Sequence, residues 1–348
     1  MTRIGIIGIG FMGYTHFEGA RDLQGARVTA IATRDAKKRS GDWNGIQGNF
    51  GPPAGSVDVS GLKCYADYHD LLADPDIDLV DVCVPTDKHS DVVLEALKAG
   101  KPTLVEKPIA VDLDEATQMV AAAETAGVPL LVAHVLPFFP EFRFVTEAVR
   151  SGEFGLLKAG HFKRVICPPE WSSGMSDFRK LGGWGIDLHI HDNHFIAHAC
   201  GRPDAVFSTG LLQDGLVNHV HTSYIYPDGG PAVTCVSGGI AAKGFQFGHG
   251  FELYFDDATV LYDAGTYGGE WVVNRPLTVI RNDGSVTVPE LAGGDKWCSA
   301  FTRELETAAS ALQGNQDAGP LSSSLALDAL KMCYAEAESI ASGKAVGC

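Results

Sequence analysis

The sequence contains no apolar run that reaches the roughly 18 residues a membrane span requires, so no membrane partner is expected. It contains no CxxC pair either. Its eight cysteines (Cys64, Cys83, Cys167, Cys200, Cys235, Cys298, Cys333 and Cys348) stand apart, mostly inside apolar stretches, which suits reduced, buried thiols rather than disulfides. Positive charge is scarce: 27 Lys and Arg oppose 43 Asp and Glu, for a formal charge of −16. Without clustered Lys and Arg there is nothing to hold phosphates along a strand, which excludes a nucleic-acid partner. The first strand begins almost at Met1 in MTRIGIIGIG, leaving no space for a leader, so the expected location is cytoplasmic. No repeat of fixed period is present. What remains is 348 residues of ordinary globular composition, 45% hydrophobic and 20% charged, enough for two cores.

The order of elements predicts an α/β protein in two parts. RIGIIG (3–8), a helical segment over 12–24 and RVTAIAT (27–33) form a βαβ opening, and the alternation continues through VPLLVAHV. Near residue 130 the pattern changes. A helix at about 140–151 is followed by period-two strands separated by DGG, GG, DD and NDG turns, then by two closing helices. The expected architecture is an N-terminal Rossmann doubly wound parallel sheet over residues 1–130. An α+β domain with a large, mostly antiparallel open sheet follows over 131–348. Residues 39–63, rich in Gly, Pro, Ser and Asp, stand where a doubly wound fold places a helix. Trp43, Ile46 and Phe50 give this stretch something to bury, which favours an ordered loop.

Gly8-x-Gly10-x-x-Gly13 follows a short apolar strand and opens a helix. In that context Gly8 makes the tight turn, Gly10 admits a pyrophosphate and Gly13 lets helix and strand pack closely, while Phe11 and Met12 complete the turn. The helix N-terminus adds unpaired N–H groups and a positive dipole. At the end of the second strand, Thr33-Arg34-Asp35 stands where an acidic residue would hold a ribose diol. Thr33 can donate a hydrogen bond and Arg34 can fork a 2′-phosphate, so the expected cofactor is NAD(P), leaning to NADP. If Asp35 turns inward, NAD returns.

TLVEKPIAV (103–111) sets Glu106, Lys107 and Pro108 at the end of an apolar strand. Ligands of open α/β sheets lie outside the carboxyl ends of the strands, so Lys107 can reach a nicotinamide crevice. Pro85, Thr86, His89 and Glu106 join it as candidates for the nucleotide wall. A second array lies in GGWGIDLHIHDNHFIAHACG (182–201). On a regular helix Asp187, His191, His194 and His198 fall within a stripe of roughly 60°, with His189 opposite. Three readings compete: polar residues packed against a sheet, a metal site, or acid–base catalysis in which a carboxylate orients and tunes an imidazole. No further cysteine or HExxH pattern supports a metal, and none is expected.

The glycine motif, VPTDKHSDVVLEALKAGKPTLVEKPIA (84–110), SGEFGLLKAGHF and GGWGIDLHIHD resemble the glucose–fructose oxidoreductase, inositol dehydrogenase and rhizopine-catabolism (Gfo/Idh/MocA) family over nearly the whole chain. The resemblance implies a Rossmann domain joined to a mixed α/β domain whose open sheet forms oligomer contacts. The implied enzyme is a nicotinamide-dependent dehydrogenase or reductase acting on a sugar, cyclitol or related polyol. Lys107 would bind the reacting oxygen, His191 would act as general base or acid, and Asp187 would position substrate and imidazole. Pro137 stands where many members have an arginine, and the 39–63 stretch departs from the family pattern, so substrate preference does not carry over. His134, Lys163, Arg164, Trp171 and Asp177 are candidates for sugar-hydroxyl contacts. A glycoside-cleaving member without net cofactor turnover and a nucleotide-sensing regulator are the alternatives. An exposed sheet face also predicts a homodimer or homotetramer.

Overall fold

The computed structural model describes residues 1–48, 50–168, 178–227, 229–314 and 318–348. The first sheet contains β1 (Thr2–Ile7), β2 (Ala26–Ala32), β3 (Lys63–Tyr65), β4 (Leu79–Val82), β5 (Thr103–Glu106) and β6 (Leu130–Ala133). All pairs are parallel and the order is β3-β2-β1-β4-β5-β6. Its connections hold α1 (Phe11–Gly19), α2 (Ala36–Arg39), α3 (Tyr68–Ala73), α4 (His89–Lys98) and α5 (Leu113–Ala126). The strand order reverses beside β1, which creates the switch point where such sheets bind ligands.

The second sheet has nine strands: β7 (Leu157–Ile166), β8 (Ala205–Gln213), β9 (Leu216–Ile225), β10 (Ala232–Gly238), β11 (Phe245–Phe255), β12 (Ala258–Tyr267), β13 (Glu270–Arg281), β14 (Val286–Thr287) and β15 (Val346–Gly347). Their order is β14-β13-β12-β11-β7-β10-β9-β8-β15, antiparallel except for the β10–β7 pair. Alternation decides what each face does. Along β7, Gly160, Phe162, Arg164 and Ile166 are buried, while Lys158 and His161 are exposed and Lys163 and Val165 partly so. Against the buried face lie α6 (Pro140–Ser151) and α7 (Ile190–Cys200), with Phe142, Phe162, Phe195 and Phe251 meeting edge to face. The doubly wound parallel sheet followed by a larger, mostly antiparallel one is the fold the sequence pattern predicts. Among the described residues no helix is long and apolar enough to cross a membrane.

Two compact units result, comprising 1–139 with 293–327 and 140–292 with 328–348. The chain therefore changes unit three times rather than once at residue 130. The reason is α8 (Ser299–Leu312): its Ala300, Leu305, Ala308 and Ala309 join the core of Ile4, Phe17, Ile31 and Leu79, and Thr302 Oγ1 donates to Gly19 O at 2.8 Å. The last helix, α9 (Ser323–Ser342), begins in the first unit and ends in the second.

The described residues of the 39–63 stretch pack against aromatic rings of α1 and α8. Trp43 is fully buried, its Nε1 donates to Lys38 O at 2.8 Å, and its ring stands edge-on to Phe17 at 4.9 Å. A bridge between Asp42 and Ser56 closes the loop. Phe50, though 40% exposed, stacks on Phe301 and meets the Phe11 ring at 4.8 Å.

Candidate active site

In the first unit, the parallel register brings the ends of four strands to one level. Ile7 pairs with Val82, Val82 with Val105, and Val105 with Val132, so Gly8, Cys83, Glu106 and Ala133 follow at one level, with Lys107 and His134 one residue beyond it at the same edge. Gly8 turns the chain at φ +96°, and a Cβ there would lie 2.8 Å from Cys83 O. A Cβ on Gly13 would sit 2.1 Å from Gly8 O, so only glycine lets α1 come this close to the turn. At Gly10 a Cβ would meet no protein atom within 4 Å, leaving open space before the first N–H groups of α1. The cradle fits a pyrophosphate.

The chain after β2 is basic and tightly folded. Asp35 caps α2, its Oδ1 accepting from Lys37 N at 2.9 Å and Lys38 N at 3.5 Å. Arg39 donates to Thr33 O at 2.7 Å, and the Lys38 ammonium to Ile9 O, in the glycine turn, at 2.6 Å. Arg34 is exposed. The Asp35 carboxylate is thus committed to a helix end rather than turned inward.

Pro85 is exposed and Thr86 partly so, just past β4. His89, a candidate for the nucleotide wall, is instead buried with Nδ1 2.9 Å from Pro108 O and Nε2 3.1 Å from Val84 O. Both ring nitrogens face backbone carbonyls of the loops after β4 and β5, and burial lowers its pKa. Glu106 also differs from its expected place. It is 5% exposed, one oxygen lies 2.9 Å from His16 Nε2 and the other accepts from Lys107 N at 2.9 Å. Its side chain points into the protein while Lys107, the next residue, stays partly exposed, as alternation along a strand requires.

In the second unit, the residues ahead of α7 form a π-helical turn, Gly185–His189. This wider turn breaks the regular 100° progression assumed for the stripe. Within the buried run 182–197, only Asp187 and His191 remain partly exposed. His194 is fully buried and stacks on His198, whose pKa burial, with help from Arg150, pushes down to about 4. Those two are packing residues. His189 points inward as expected, its Nε2 2.8 Å from Glu336.

Of the sugar-contact candidates, Lys163 lies on the sheet face opposite Arg164 and pairs with Asp263 at 2.8 Å. Arg164 is buried, donating to Asp192 at 2.9 Å and lying over the Phe142 and Phe247 rings. Neither is available in the way the sequence suggests. His134 is buried one position beyond β6, beside the level of Lys107. Trp171 and Asp177 lie outside the described residues.

Sequence reasoning missed the polar groups behind both elements. His16, Asp81, Glu106 and Glu304 form one buried cluster in the first unit, and His189, Glu336, Asn193, Tyr224 and Thr222 another in the second. The available signal was Asp81, a charge inside the apolar strand IDLVDVCVP. Among the described residues, His16, Asp81 and Cys83, and likewise His189, Asp192 and Cys235, bring three possible metal donors within 4.8 Å. Neither group includes Asp187, His191, His194 or His198, the array that raised the question of a metal.

Residues 2–134 match the GFO_IDH_MocA model, described as an oxidoreductase family with an NAD-binding Rossmann fold. The chain is 30% identical over 245 residues to 1,5-anhydro-D-fructose reductase of Ensifer adhaerens, covering 64% of this chain and 70% of that protein. It is 28% identical over 213 residues to myo-inositol 2-dehydrogenase of Thermotoga maritima, covering 60% of this chain and 58% of that protein. The match thus spans about half to three-fifths of the length of some curated relatives. A crystal structure of an oxidoreductase from Agrobacterium radiobacter in complex with NAD+, L-tartaric acid and magnesium superposes with a TM-score of 0.78 at 19% identity, covering 99% of this chain and 98% of that one.

Proposed function

Because the chain belongs to the Gfo/Idh/MocA oxidoreductase family, we propose that it moves hydride between a nicotinamide dinucleotide and a secondary alcohol carbon of a sugar, cyclitol or related polyol. The observation that carries this reading is Lys107: a partly exposed ammonium at the carboxyl edge of the sheet, level with the glycine turn, its amide fixed by a buried carboxylate. Gly8, Gly10, Gly13 and the first N–H groups of α1 would hold the pyrophosphate. Thr33 and Arg34 would face the adenosine ribose, and Pro85 and Thr86 the nicotinamide side. The bound dinucleotide supplies the hydride acceptor or donor.

The chain's own groups handle the proton and the charge. When the alcohol R₂CH–OH is oxidised to R₂C=O, the hydroxyl proton passes to His191, and the Lys107 ammonium stabilises the developing alkoxide. Asp187, one turn earlier, orients the imidazole. Reduction runs the same steps backwards. A preference for NADP(H) is supported by Asp35, which is occupied as a helix cap, while Arg34 is exposed and Lys37, Lys38 and Arg39 add positive charge nearby.

The outer face of the nine-stranded sheet exposes Phe207, Leu211, Ile225 and Tyr254. This supports self-association of the chain as a dimer or tetramer. Eight free thiols suit a cytoplasmic setting.

A spectrophotometric screen of aldoses, cyclitols and polyols with NADP+ and NAD+, and of the matching ketones with the reduced dinucleotides, tests the proposal. Substrate-dependent change in nicotinamide absorbance supports it. Cleavage of an aryl glycoside with no net change in absorbance would contradict it, as would tight nucleotide binding with no turnover of any substrate.

A further inference from the structure

We propose that His16 is a positioning residue for Lys107: it holds the Glu106 carboxylate, and Glu106 in turn holds the main chain of Lys107. The inference rests on the reading of Lys107 as the cation at the reacting oxygen. His16 lies on α1, three residues after Gly13, and is fully buried. Its Nδ1 meets both oxygens of Asp81, on β4, at 3.1 and 2.9 Å. Its Nε2 stands at ion-pair distance from two carboxyl groups without hydrogen-bond alignment to either, 2.9 Å from Glu106 Oε1, at the end of β5, and 3.7 Å from Glu304 Oε2, on α8. The other Glu106 oxygen accepts from the Lys107 amide at 2.9 Å. One ring therefore connects the helix that opens at the glycine turn to the strand end that carries the lysine.

Elementary electrostatics fixes the state of the ring. Nδ1 faces a carboxylate and must carry a proton. A lone pair on Nε2 would face two further carboxyl groups, so this nitrogen is protonated as well, and the ring is an imidazolium. Burial alone would lower the His16 pKa, yet Asp81, with help from Cys83, holds it well above the usual imidazole value. Glu304 relieves the remaining excess of negative charge by keeping its own proton, driven by burial.

Stability does not explain such a site. An apolar side chain of similar size would pack between α1 and the sheet without bringing ions into the core, often at no loss of stability. The chain instead accepts the desolvation of four titratable groups, His16, Asp81, Glu106 and Glu304, of which Glu106 accepts from the Lys107 amide. Fixing the Lys107 backbone sets the point from which its side chain reaches, which removes one source of displacement of the ammonium from the position that catalysis requires.

Hydrogen–deuterium exchange of the full-length protein, read by mass spectrometry over residues 103–111, tests this together with turnover of the best substrate from the screen. In His16→Gln the Lys107 amide should exchange at least about tenfold faster than in wild type, while α5 keeps its wild-type rates. The kcat should fall about 30-fold, and the NADPH dissociation constant should change by less than about threefold. Glu106→Gln keeps an acceptor oxygen for the amide and should retain more of both protection and kcat than Glu106→Ala. In a Lys107→Ala background His16→Gln should cost no further kcat, because a residue that acts through the lysine loses its effect with it. If His16→Gln does not fold, Glu106→Ala carries the same measurements. Wild-type exchange at Lys107 in the folded variants would overturn the proposal, as would an equal loss of kcat with and without the lysine. Full turnover by Lys107→Ala would instead refute the catalytic reading, leaving the exchange rates to decide the positioning.

Discussion

In the second unit, Glu336 accepts from two neutral donors, Thr222 Oγ1 and Asn193 Nδ2, each at 2.8 Å, and His189 Nε2 meets it at the same distance. Tyr224 then donates to Asn193 Oδ1 at 2.6 Å, closing the network. In the first unit, His16 is surrounded by Asp81, Glu106 and Glu304 with the Cys83 thiol, and neither oxygen of Glu304 has a hydrogen-bond partner. Both histidines have raised pKa values although burial opposes it, His189 because of Glu336 and His16 because of Asp81. The difference lies in what completes the shell. Hydroxyls and an amide satisfy a carboxylate without adding charge, producing a rigid anchor under α7. Carboxylates crowded on one imidazole leave a proton to be shared, and this second arrangement is the one that touches the backbone of Lys107.

That contrast predicts the sharpest stability effect in the second unit. Glu336→Leu strands His189, Asn193 and Thr222 without their acceptor and should cost about 3–5 kcal/mol in urea denaturation. A loss below about 1 kcal/mol would show that the network is not the anchor described.

Glu304→Gln should behave in the opposite way. Its carboxyl pKa in the folded protein lies well above the usual 4.5, chiefly through burial, so the folded state binds a proton that the unfolded chain has already released. The stability tied to that proton is complete below about pH 4.5 and is lost as pH rises towards the folded value. The variant should therefore gain on wild type as pH rises above about 4.5, by on the order of 1 kcal/mol per unit until the folded value is reached. A pH-independent difference would mean that Glu304 is ionised and the cluster is balanced differently.

Most of the architecture was legible in the sequence because strand and helix periodicities are local. The glycine turn and the Lys107 strand end could be identified for the same reason, and Asp187 and His191 are the two positions of the buried run 182–197 that stay partly exposed. The clusters behind them were not, since His16, Asp81, Glu106 and Glu304 come from four elements spread over almost 300 residues, and only folding unites them. The return of α8 to the first unit was hidden likewise, because an amphipathic helix does not declare which core it will cover. His89 and Lys163 misled because a polar side chain near a strand end reads alike whether it faces a ligand, a backbone carbonyl or a neighbouring acid.

A smaller effect sharpens the nucleotide half of the account. Arg34→Ala should weaken NADP(H) roughly 10- to 100-fold while changing NAD(H) little, as loss of one charged fork requires. Smaller still, Asp35→Ala should lower stability by about 1 kcal/mol through loss of the α2 cap, with the ratio of the two dinucleotide affinities unchanged. A shift of that ratio towards NADP(H) would make Asp35 a ribose ligand instead.

The most direct test of the central claim is single-turnover hydride transfer in Lys107→Ala and His191→Ala, followed by nicotinamide absorbance with nucleotide affinity measured in parallel. The account predicts that each variant loses roughly 100-fold or more in rate while binding the dinucleotide nearly as wild type does. Wild-type rates in either variant would contradict it.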